Sequence, residues 1–307
     1  MKNTQPIFFP CNNGPYIWDK SDHLEGIGST FQWRKPSFIA AHITSGSWIG
    51  NLTNAHEKDA GDQSEYFGLA LSHCDKQSLE MYEKIEIGRF IYVPKGAKMF
   101  EYIPTLQLSN KTVITFEWHH VDQTHNFILF NKIFRERFHQ QRLTRNTPRR
   151  TMNEFWVTIH FRWGDVNTKE PNQPNIRSGL GFSDYCACIK RILDINPAIK
   201  VFLFAEGFKS PELCDAIGYK NVIFLSESGP WKMHIDIMSQ SSLLIGGQSS
   251  FFVLGSHLCE NCTVIHDDKF KFFQSDYERK LPTHLNAIYC KPRLQCYLEQ
   301  IERHLSS

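Results

Sequence analysis

The sequence predicts an α/β protein built from two domains of parallel β-sheet. The first observation is the rhythm of its second half, where short runs rich in Val, Ile, Leu and Phe alternate with stretches of helical period. The second is that short polar segments join these stretches, which is typical of strand–helix–strand units. The third is size and composition: the 307 residues are 41% hydrophobic and 13% aromatic, enough for two cores.

Charge and hydropathy exclude several classes of protein. The net charge of +2 is too balanced for a dedicated nucleic-acid binder, and the basic run at residues 142–150 lacks interleaved aromatic residues. That run therefore favours a solvated linker over a nucleic-acid patch. No apolar run approaches the roughly 18 residues that cross a bilayer, so no membrane span is predicted.

The first domain is expected over residues 1–150. Its first 37 residues, rich in Pro, Gly, Asn and Trp, predict an irregular arm packed by its aromatic side chains. Residues 38–43 favour a strand that leads through a Gly/Ser loop at 44–51 into a helix, the βα unit of a doubly wound fold. Further strands are predicted at 89–93 and 112–118.

A long helix is predicted over residues 123–142, where four phenylalanines recur at three- and four-residue steps: Phe127, Phe130, Phe134 and Phe138. Such a stripe indicates a core face rather than a cofactor site. The polar and basic stretch 144–150 follows, and its Pro148 cannot continue a helix, so we place the domain boundary there.

The second domain is expected over residues 151–290, followed in 291–307 by a terminal helix that packs back across the first domain. The leading strand starts in the apolar run 155–159, whose aromatic and β-branched residues favour the inside of a sheet. The remaining elements are strands at 200–205, 221–225, 243–245 and 262–265 and helices at 183–193, 211–217 and 234–242. Their alternation predicts a parallel sheet.

Polar chemistry follows the leading strand directly. His160, Arg162 and Asp165 come at alternate or near-alternate positions, and Gly164 lets the chain turn. Ligands of open α/β sheets bind outside the carboxyl ends of strands. An arginine at such a position can bind a phosphate through two parallel hydrogen bonds from its guanidinium group. The alternative is an Arg–Asp pair that holds a surface turn.

A second strand end has the same character. The strand at 243–245 is followed by Gly246-Gly247 and then by Ser249-Ser250 at the start of a helix. Amide groups at a helix N-terminus, with two hydroxyls, make a phosphate cradle that needs no metal. The alternative is an ordinary serine N-cap.

The sequence lacks other common motifs that bind phosphate or metal. It contains no P-loop, no protein-kinase motifs and no Asp-x-Asp pair that could clamp a metal-bound nucleotide sugar. One zinc site can be drawn from Cys259-x-x-Cys262 with Cys290 and Cys296, but the last spacing is too wide for a zinc knuckle.

Three motifs resemble one enzyme family. His160-Phe-Arg162-Trp-Gly-Asp165 resembles the H-x-R-x-x-D motif of the α1,2-/α1,6-/protein O-fucosyltransferase superfamily. Residues 202–206, a strand that ends at Glu206, are similar to its second motif, and residues 239–254 resemble its third. Order and spacing agree over residues 155–265. Over the first 150 residues only Gly50-Asn51 is similar to a turn of these enzymes.

The resemblance implies a GT-B-like fold, with two Rossmann-type domains facing across a cleft and the donor held mainly by the second. It also implies inverting, metal-independent transfer from GDP-fucose, with no cofactor. The donor-binding residues would be His160, Arg162, Asp165, Glu206, Gly247, Ser249, Ser250 and Phe251. The position that usually carries a guanine-reading acid falls here on His234, with Asp236 two residues later.

The resemblance also suggests how the catalytic roles divide. Arg162 would neutralise the charge on the departing GDP, as a metal does elsewhere. Glu170, eight residues later, stands at the spacing of the catalytic glutamate of α1,6-fucosyltransferases; its alternative is a solvated loop acid. Asp165 would brace Arg162 or the turn. Trp163 would stack on a sugar, on the acceptor side with Gly50 and Asn51, or simply pack.

The function expected from the sequence is therefore transfer of fucose from GDP-fucose to a glycan hydroxyl, with a nucleotide sugar and a glycan as partners. Alternatives are a transferase of another GDP- or UDP-sugar and a non-catalytic carbohydrate- or nucleotide-binding relative. A third is a phosphate-binding transferase or hydrolase of unrelated mechanism, which a metal requirement would favour. The N-terminus does not read as a signal peptide, because Pro6, Pro10 and Pro15 interrupt it. We expect a cytoplasmic protein, or a Golgi luminal one if an anchor precedes this sequence.

Overall fold

The computed structural model describes residues 16–18, 27–49, 63, 65–68, 73–74, 89–93, 97–109, 112–115, 123–161, 180–205, 219–225, 231–247, 249–267, 286–291 and 293–306. The chain divides into two compact units, Met1–Arg137 and Phe138–Ser307. Among the described residues, no helix combines the length and the apolar character that a membrane crossing requires.

The first unit contains a five-stranded sheet in the order β3-β2-β1-β5-β4. Its strands, all paired in parallel, are β1 (Tyr16–Trp18), β2 (Ser47–Ile49), β3 (His73–Cys74), β4 (Arg89–Tyr92) and β5 (Thr112–Thr115). The α-helices are α1 (Ile27–Thr44), α2 (Met99–Tyr102) and α3 (Gln123–Arg142), and the division between the units falls within α3. The predicted helix at 123–142 and the strand at 89–93 are confirmed, and the strand predicted at 112–118 is confirmed over 112–115; residues 116–118 lie outside the described residues.

Aromatic rings fill the core of this unit. Phe31 of α1 stacks on Phe134 of α3 with ring centroids 4.4 Å apart, and Phe67 lies 5.4 Å from Phe31. Phe134 is fully buried in this core, and Phe138, the first residue of the second unit, is also fully buried, so the buried face predicted for α3 is confirmed at these two positions. The side chains of Phe127 and Phe130 lie outside the described residues.

The strand predicted at residues 38–43 is wrong, because these residues form the last turns of α1. A short buried apolar run fits either element, and two alanines within it, Ala40 and Ala41, favour the helix. The helix ends at Thr44; the next residue, Ser45, has a left-handed φ of 49°, and the Gly46 amide donates to the Ala41 carbonyl at 3.0 Å.

Two further expectations for this region need correction. The loop expected at 44–51 contains β2, and the arm expected to be irregular over residues 1–37 contains β1 and the first half of α1. β1 pairs with both β2 and β5, so a three-residue segment occupies the middle of the sheet. Tertiary pairing, not local pattern, makes this segment a strand.

The second unit contains a six-stranded parallel sheet in the order β11-β10-β9-β6-β7-β8. Its strands are β6 (Trp156–Phe161), β7 (Lys200–Ala205), β8 (Val222–Leu225), β9 (Leu243–Gly246), β10 (Thr263–Asp267) and β11 (Asn286–Cys290). Its helices are α4 (Phe182–Ile195), α5 (Trp231–Met238), α6 (Ser250–Leu258) and α7 (Leu294–Leu305). The parallel sheet is confirmed; β11 was not predicted, and the helix expected at 211–217 lies outside the described residues.

The central strand β6 is buried on both faces, as in parallel sheets covered by helices. On one face, Val157, Ile159 and Phe161 belong to a core that includes residues of α4 and α7. On the other face, Thr158 Oγ1 lies 2.6 Å from Ser241 Oγ, and His160 approaches α6. The core on the first face fixes β6, and so holds His160 on the opposite face at the end of the strand.

The terminal helix α7 packs against α4 within its own unit. Its Glu302 accepts a hydrogen bond from Arg191 Nε of α4 at 2.9 Å, and Tyr297 and Ile301 are fully buried. The expectation that this helix crosses the first domain stays a prediction.

Candidate nucleotide-binding site

A row of residues crosses the second sheet at the carboxyl ends of its central strands. In the strand register, His160 pairs with Phe204 on one side and with Gly246 on the other, and Gly246 pairs with His266. Paired residues of parallel strands point to the same face, so these four positions form one line. This is the edge at which open α/β sheets bind ligands.

The N-terminal turn of α6 covers the middle of that row. The Phe252 ring lies 5.9 Å from the His160 ring and 5.5 Å from the His266 ring, so it stands between the two histidines. A Cβ atom at Gly246 would lie 2.7 Å from the Phe252 ring. Glycine at this position is therefore what allows α6 to approach β9 so closely.

Ser249 is the N-cap of α6. It is 4% exposed, and its Oγ accepts a hydrogen bond from the Phe252 amide at 3.4 Å. The alternative that Ser249 is an ordinary N-cap is thus observed. An N-cap is compatible with an anion site, because the first amide groups of a helix have no acceptor within the helix. Ser250 and Phe251, both half-buried, follow in the first turn, with the Phe251 ring 6.0 Å from that of His160.

His234 lies next to the row. It belongs to α5, and its ring centroid is 4.7 Å from that of Phe204. The residue is 8% exposed, and among the described residues its Nε2 atom has no hydrogen-bond partner. Burial lowers the pKa of His234 to about 4, so the imidazole is neutral near pH 7. A neutral ring offers one hydrogen-bond donor and one acceptor.

Asp236, two residues further along α5, is fully buried and paired with a cation. Its Oδ1 atom accepts from Arg145 Nη1 at 2.7 Å, and the Arg145 guanidinium lies over the Phe138 ring at 5.1 Å. This ion pair gives Asp236 a structural role in holding the segment after α3 against α5. Its assignment to donor binding stays a prediction.

The basic run at residues 142–150 is bound to the second unit rather than solvated throughout. Besides Arg145, the Arg150 guanidinium donates to Ser242 Oγ, and the Arg150 amide donates to Gln240 Oε1 at 3.0 Å. Gln240 Nε2 in turn donates to the Pro148 carbonyl at 2.9 Å. Most of the run is nevertheless exposed, including Arg149 and Arg150, which agrees with the predicted solvation; the contacts of Arg145 and Arg150 were not predicted.

Half of the predicted site residues lie outside the described residues. They are Gly50, Asn51, Arg162, Trp163, Asp165, Glu170 and Glu206. Of the predicted residues that are described, His160, Gly247, Ser249, Ser250 and Phe251 lie at the carboxyl edge or in the first turn of α6, and His234 lies beside them.

Sequence reasoning missed His266. It ends the same row, is fully buried, and has a pKa lowered to about 4 by that burial. The neighbouring Asp267 is also fully buried. Because successive residues of a strand point to opposite faces of the sheet, Asp267 lies on the face of β10 that α4 and α7 cover. The signal was present, because the predicted strand at 262–265 is followed at once by His266-Asp267, just as β6 leads to His160.

The zinc alternative finds no support. Within the part of the chain that the structure describes, no three His, Cys, Asp or Glu side chains are placed to share a metal ion. That part includes Cys259, Cys262, Cys290 and Cys296. Cys259 instead caps the C-terminus of α6, and its thiol donates to the Met238 carbonyl at 2.9 Å.

Comparisons with known proteins bear on the fold. No protein-family model matches the chain, and no curated protein sequence matches it. The structure is similar to that of E. coli heptosyltransferase WaaC with ADP, with a TM-score of 0.52 at 10% identity over 95% of this chain and 98% of that one. The structure is also similar to that of E. coli ADP-heptose lps heptosyltransferase II, with a TM-score of 0.46 at 9% identity over 95% of this chain and 98% of that one. Similarity to POFUT1 in complex with GDP has a TM-score of 0.44 at 10% identity over 92% of this chain and 99% of that one. From the first of these likenesses and the two parallel sheets, we conclude that the chain has an α/β, GT-B-like fold.

Proposed function

We propose that the chain is an inverting, metal-independent glycosyltransferase that moves fucose from GDP-fucose to a glycan hydroxyl. The observation that carries this proposal is the meeting of His160, Gly246-Gly247 and the capped N-terminus of α6 at one edge of a parallel sheet in a GT-B-like fold. That arrangement suits a nucleoside diphosphate, because helix amide groups attract anions and the strand ends leave room for a ligand.

In this proposal the diphosphate binds at the first turn of α6. The helix dipole and the amide groups of Ser250 and Phe251 would stabilise its negative charge, and the hydroxyl of Ser250, which is half-buried, would add a donor. His160 would lie beside the nucleotide, with its ring already held near Phe251 and Phe252. His234, a neutral imidazole next to Phe204, would meet the nucleobase with a single hydrogen bond.

Arg162 follows the last residue of β6 in the chain and would complete the donor site. Its guanidinium would bind the β-phosphate through two parallel hydrogen bonds and neutralise the charge that develops on GDP as the glycosidic bond breaks. This role supports the proposal of metal independence, since it supplies the positive charge that a metal supplies elsewhere. Asp165 would brace Arg162, and Glu206 would contact the donor at the end of β7.

Inversion requires a base that takes the proton of the acceptor hydroxyl as the sugar is displaced. We assign that role to Glu170. Gly50, Asn51 and Trp163 belong to the acceptor side in this proposal, with Trp163 stacked on a sugar face.

One second candidate is favoured by a specific observation. The similar heptosyltransferase was solved with ADP, so an ADP-sugar is a candidate donor beside GDP-fucose. His234 supports keeping both candidates, because one neutral hydrogen bond discriminates between purines less than the two acceptor oxygens of a carboxylate. The chain would remain a glycosyltransferase in either case; a non-catalytic nucleotide-binding relative is the other alternative.

Turnover with defined donors tests the proposal. Release of GDP from GDP-fucose is measured with a mixture of glycan acceptors, in EDTA and in Mg²⁺, beside ADP- and UDP-sugars. We expect acceptor-dependent GDP release that EDTA leaves unchanged, that Arg162→Ala abolishes and that Glu170→Gln reduces at least about a hundredfold. Arg149→Ala, which removes an exposed arginine of the same unit, is the matched control.

Each contrary result has a distinct meaning. Activity that disappears in EDTA contradicts metal independence, and an ADP- or UDP-sugar used in place of GDP-fucose contradicts the donor assignment alone. Nucleotide binding without turnover of any donor indicates the non-catalytic relative. Full activity in Glu170→Gln contradicts the assignment of the base.

A further inference from the structure

His234 and Asp236 lie on nearly opposite sides of the short helix α5. Successive residues of an α-helix are turned by about 100°, so side chains two positions apart point in almost opposite directions. His234 packs on the second sheet, with its ring centroid 4.7 Å from that of Phe204. Asp236 instead faces the segment after α3, where it pairs with Arg145. One side of α5 therefore meets the candidate site, and the other side carries an ion pair.

That ion pair is withdrawn from water. Asp236 is fully buried and the Arg145 side chain is 16% exposed, with 2.7 Å between Oδ1 and Nη1. The Arg145 guanidinium also lies over the Phe138 ring at 5.1 Å. Removing one partner of a buried pair leaves the other without the counter-charge to which it is bonded, and the surrounding structure shifts or weakens. The placement of α5 therefore depends on Arg145.

His234 has no comparable anchor of its own. Its Nε2 atom has no hydrogen-bond partner among the described residues, although the residue is only 8% exposed. The ring is held by its contact with Phe204 and by the backbone of α5. A helix of eight residues has little stability of its own, so its position depends on the contacts that it makes. A shift of α5 would therefore move the imidazole with it.

The segment after α3 also holds the far end of α5. Gln240, two residues past the helix, donates from Nε2 to the Asp236 carbonyl at 2.8 Å and to the Pro148 carbonyl at 2.9 Å. The ion pair differs from these contacts in its place, because it joins the same segment to the turn of α5 that contains His234. Arg145 thus acts on the part of the helix that the candidate site uses.

We infer that Arg145 is a positioning residue for nucleobase recognition, because its ion pair with Asp236 holds α5 so that the His234 imidazole stands where the nucleobase of the donor binds. The inference rests on the proposed function, because it concerns the same site. An ion pair that only stabilises the fold affects every ligand alike. A positioning residue affects the part of the ligand that His234 meets.

The test compares nucleotides with inorganic pyrophosphate, which has the diphosphate but no nucleobase. Affinities for GDP, ADP and pyrophosphate are measured by calorimetry on the full chain and its variants. Arg145→Gln removes the positive charge, and Arg145→Lys keeps it. Arg145→Gln combined with Asp236→Asn leaves no charge buried and tests the same prediction should the single variant not fold. Arg150→Gln is the matched control, because the Arg150 guanidinium donates to Ser242 Oγ, beyond the end of α5.

In Arg145→Gln we expect about a tenfold loss of affinity for the nucleotide that the parent chain binds more tightly, with a change of less than about twofold for pyrophosphate. Arg145→Lys should recover part of the loss, and Arg150→Gln should leave the ratio of the two affinities as in the parent chain. The ratio is informative even if a variant is partly unfolded, because both ligands titrate the same folded fraction.

A double-mutant cycle shows whether the effect passes through His234. His234→Ala alone should lower the ratio of nucleotide affinity to pyrophosphate affinity, and Arg145→Gln added to it should lower the ratio no further. Two residues that act independently would give additive losses. Additive losses would overturn the inference.

An unchanged ratio in Arg145→Gln would also overturn the inference and leave the proposed function standing. Equal losses for nucleotide and pyrophosphate would do the same, since they indicate a structural role only. So would a parent chain that binds pyrophosphate as tightly as either nucleotide, because the nucleobase would then add nothing to binding. If the parent chain binds none of the three ligands, the proposed function itself fails and the inference falls with it.

Discussion

At the scale of single residues, burial keeps two histidines of the candidate site uncharged. The pKa of His234 and that of His266 are each lowered from 6.5 to about 4 by burial. In the unfolded chain both side chains bind a proton near pH 6.5, so between pH 6.5 and about 4 the unfolded state holds more protons than the folded state. Their contribution to stability is complete above pH 6.5 and is lost as the pH falls towards 4.

We therefore expect the free energy of unfolding to decrease steeply across that pH window, by an amount on the order of 3 kcal/mol for each histidine. The measurement is urea unfolding at a series of pH values. The slope of the unfolding free energy against pH counts the protons taken up on unfolding. His234→Gln should lower that count by about one, because glutamine does not titrate. His304→Gln, at a half-buried position on α7, should reduce it less. An unaltered slope in His234→Gln would contradict the burial argument.

Ser249 combines a structural and a proposed functional role, and two variants separate them. Ser249→Ala removes the acceptor of the Phe252 amide, so it should lower the free energy of unfolding by about 1 kcal/mol. Ser249→Asp should keep the cap and most of the stability, but its carboxylate should repel a diphosphate and weaken GDP binding. Urea unfolding and calorimetry measure the two effects. Undiminished GDP binding in Ser249→Asp would argue against a phosphate site at this helix.

Prediction from sequence worked at this scale where a polar residue directly followed a recognisable strand. His160 and Ser249 were identified in this way, and the structure places both at the carboxyl edge. His266 satisfied the same rule and was missed; the strand predicted at 262–265 stops one residue before it. The ion pair of Asp236 with Arg145 joins residues 91 positions apart, so no local pattern could have indicated it.

At the scale of elements, the approach of α6 to β9 depends on Gly246. Gly246→Ala would place a methyl group against the Phe252 ring, and we expect a loss of about 1–3 kcal/mol in the free energy of unfolding. Phe252→Leu in the same chain should recover part of that loss, because leucine is smaller than the ring. Denaturant unfolding of the single and double variants measures the coupling.

Gly255→Ala is the matched control, since Gly255 belongs to the same helix. Its new methyl group would meet the side chain of Met238, which is flexible and can move, and alanine favours a helix over glycine by about 1 kcal/mol. The control should therefore be less destabilising than Gly246→Ala. A larger destabilisation by Gly255→Ala than by Gly246→Ala would show that the Phe252 contact does not limit how closely α6 packs on β9.

Elements with a long or unambiguous pattern were predictable. The helix at 123–142 has the same bounds in the structure, and the strand at 200–205 agrees as well. The apolar run at residues 38–43 fits a strand as well as a helix, because six residues are too few to separate the two periodicities. These residues are helical because they belong to the longer helix α1. β1, β2, β3 and β11 were missed. The first three have only two or three residues each, so their strand character comes from pairing with neighbouring strands.

At the scale of the whole molecule, the rhythm of strands and helices was enough to predict parallel sheets. The strand orders, β3-β2-β1-β5-β4 and β11-β10-β9-β6-β7-β8, were not predictable, because they depend on which strands meet in space. That order is what brings β6, β9 and β10 side by side and aligns His160, Gly246 and His266. The candidate site is therefore a property of the topology as much as of its motifs.

The binding of a nucleoside diphosphate at this edge of the second sheet is tested by thermal stabilisation with nucleotides. The full chain, Arg162→Ala and Arg149→Ala are melted with GDP, ADP, UDP and CMP, each with and without EDTA. A ligand at roughly 100 times its Kd should stabilise the fold by about 2.7 kcal/mol. We expect GDP to raise the melting temperature, EDTA to leave that shift unaltered, and only Arg162→Ala to lose it. Folded protein whose melting temperature is unchanged by every nucleotide would contradict nucleoside-diphosphate binding at this edge.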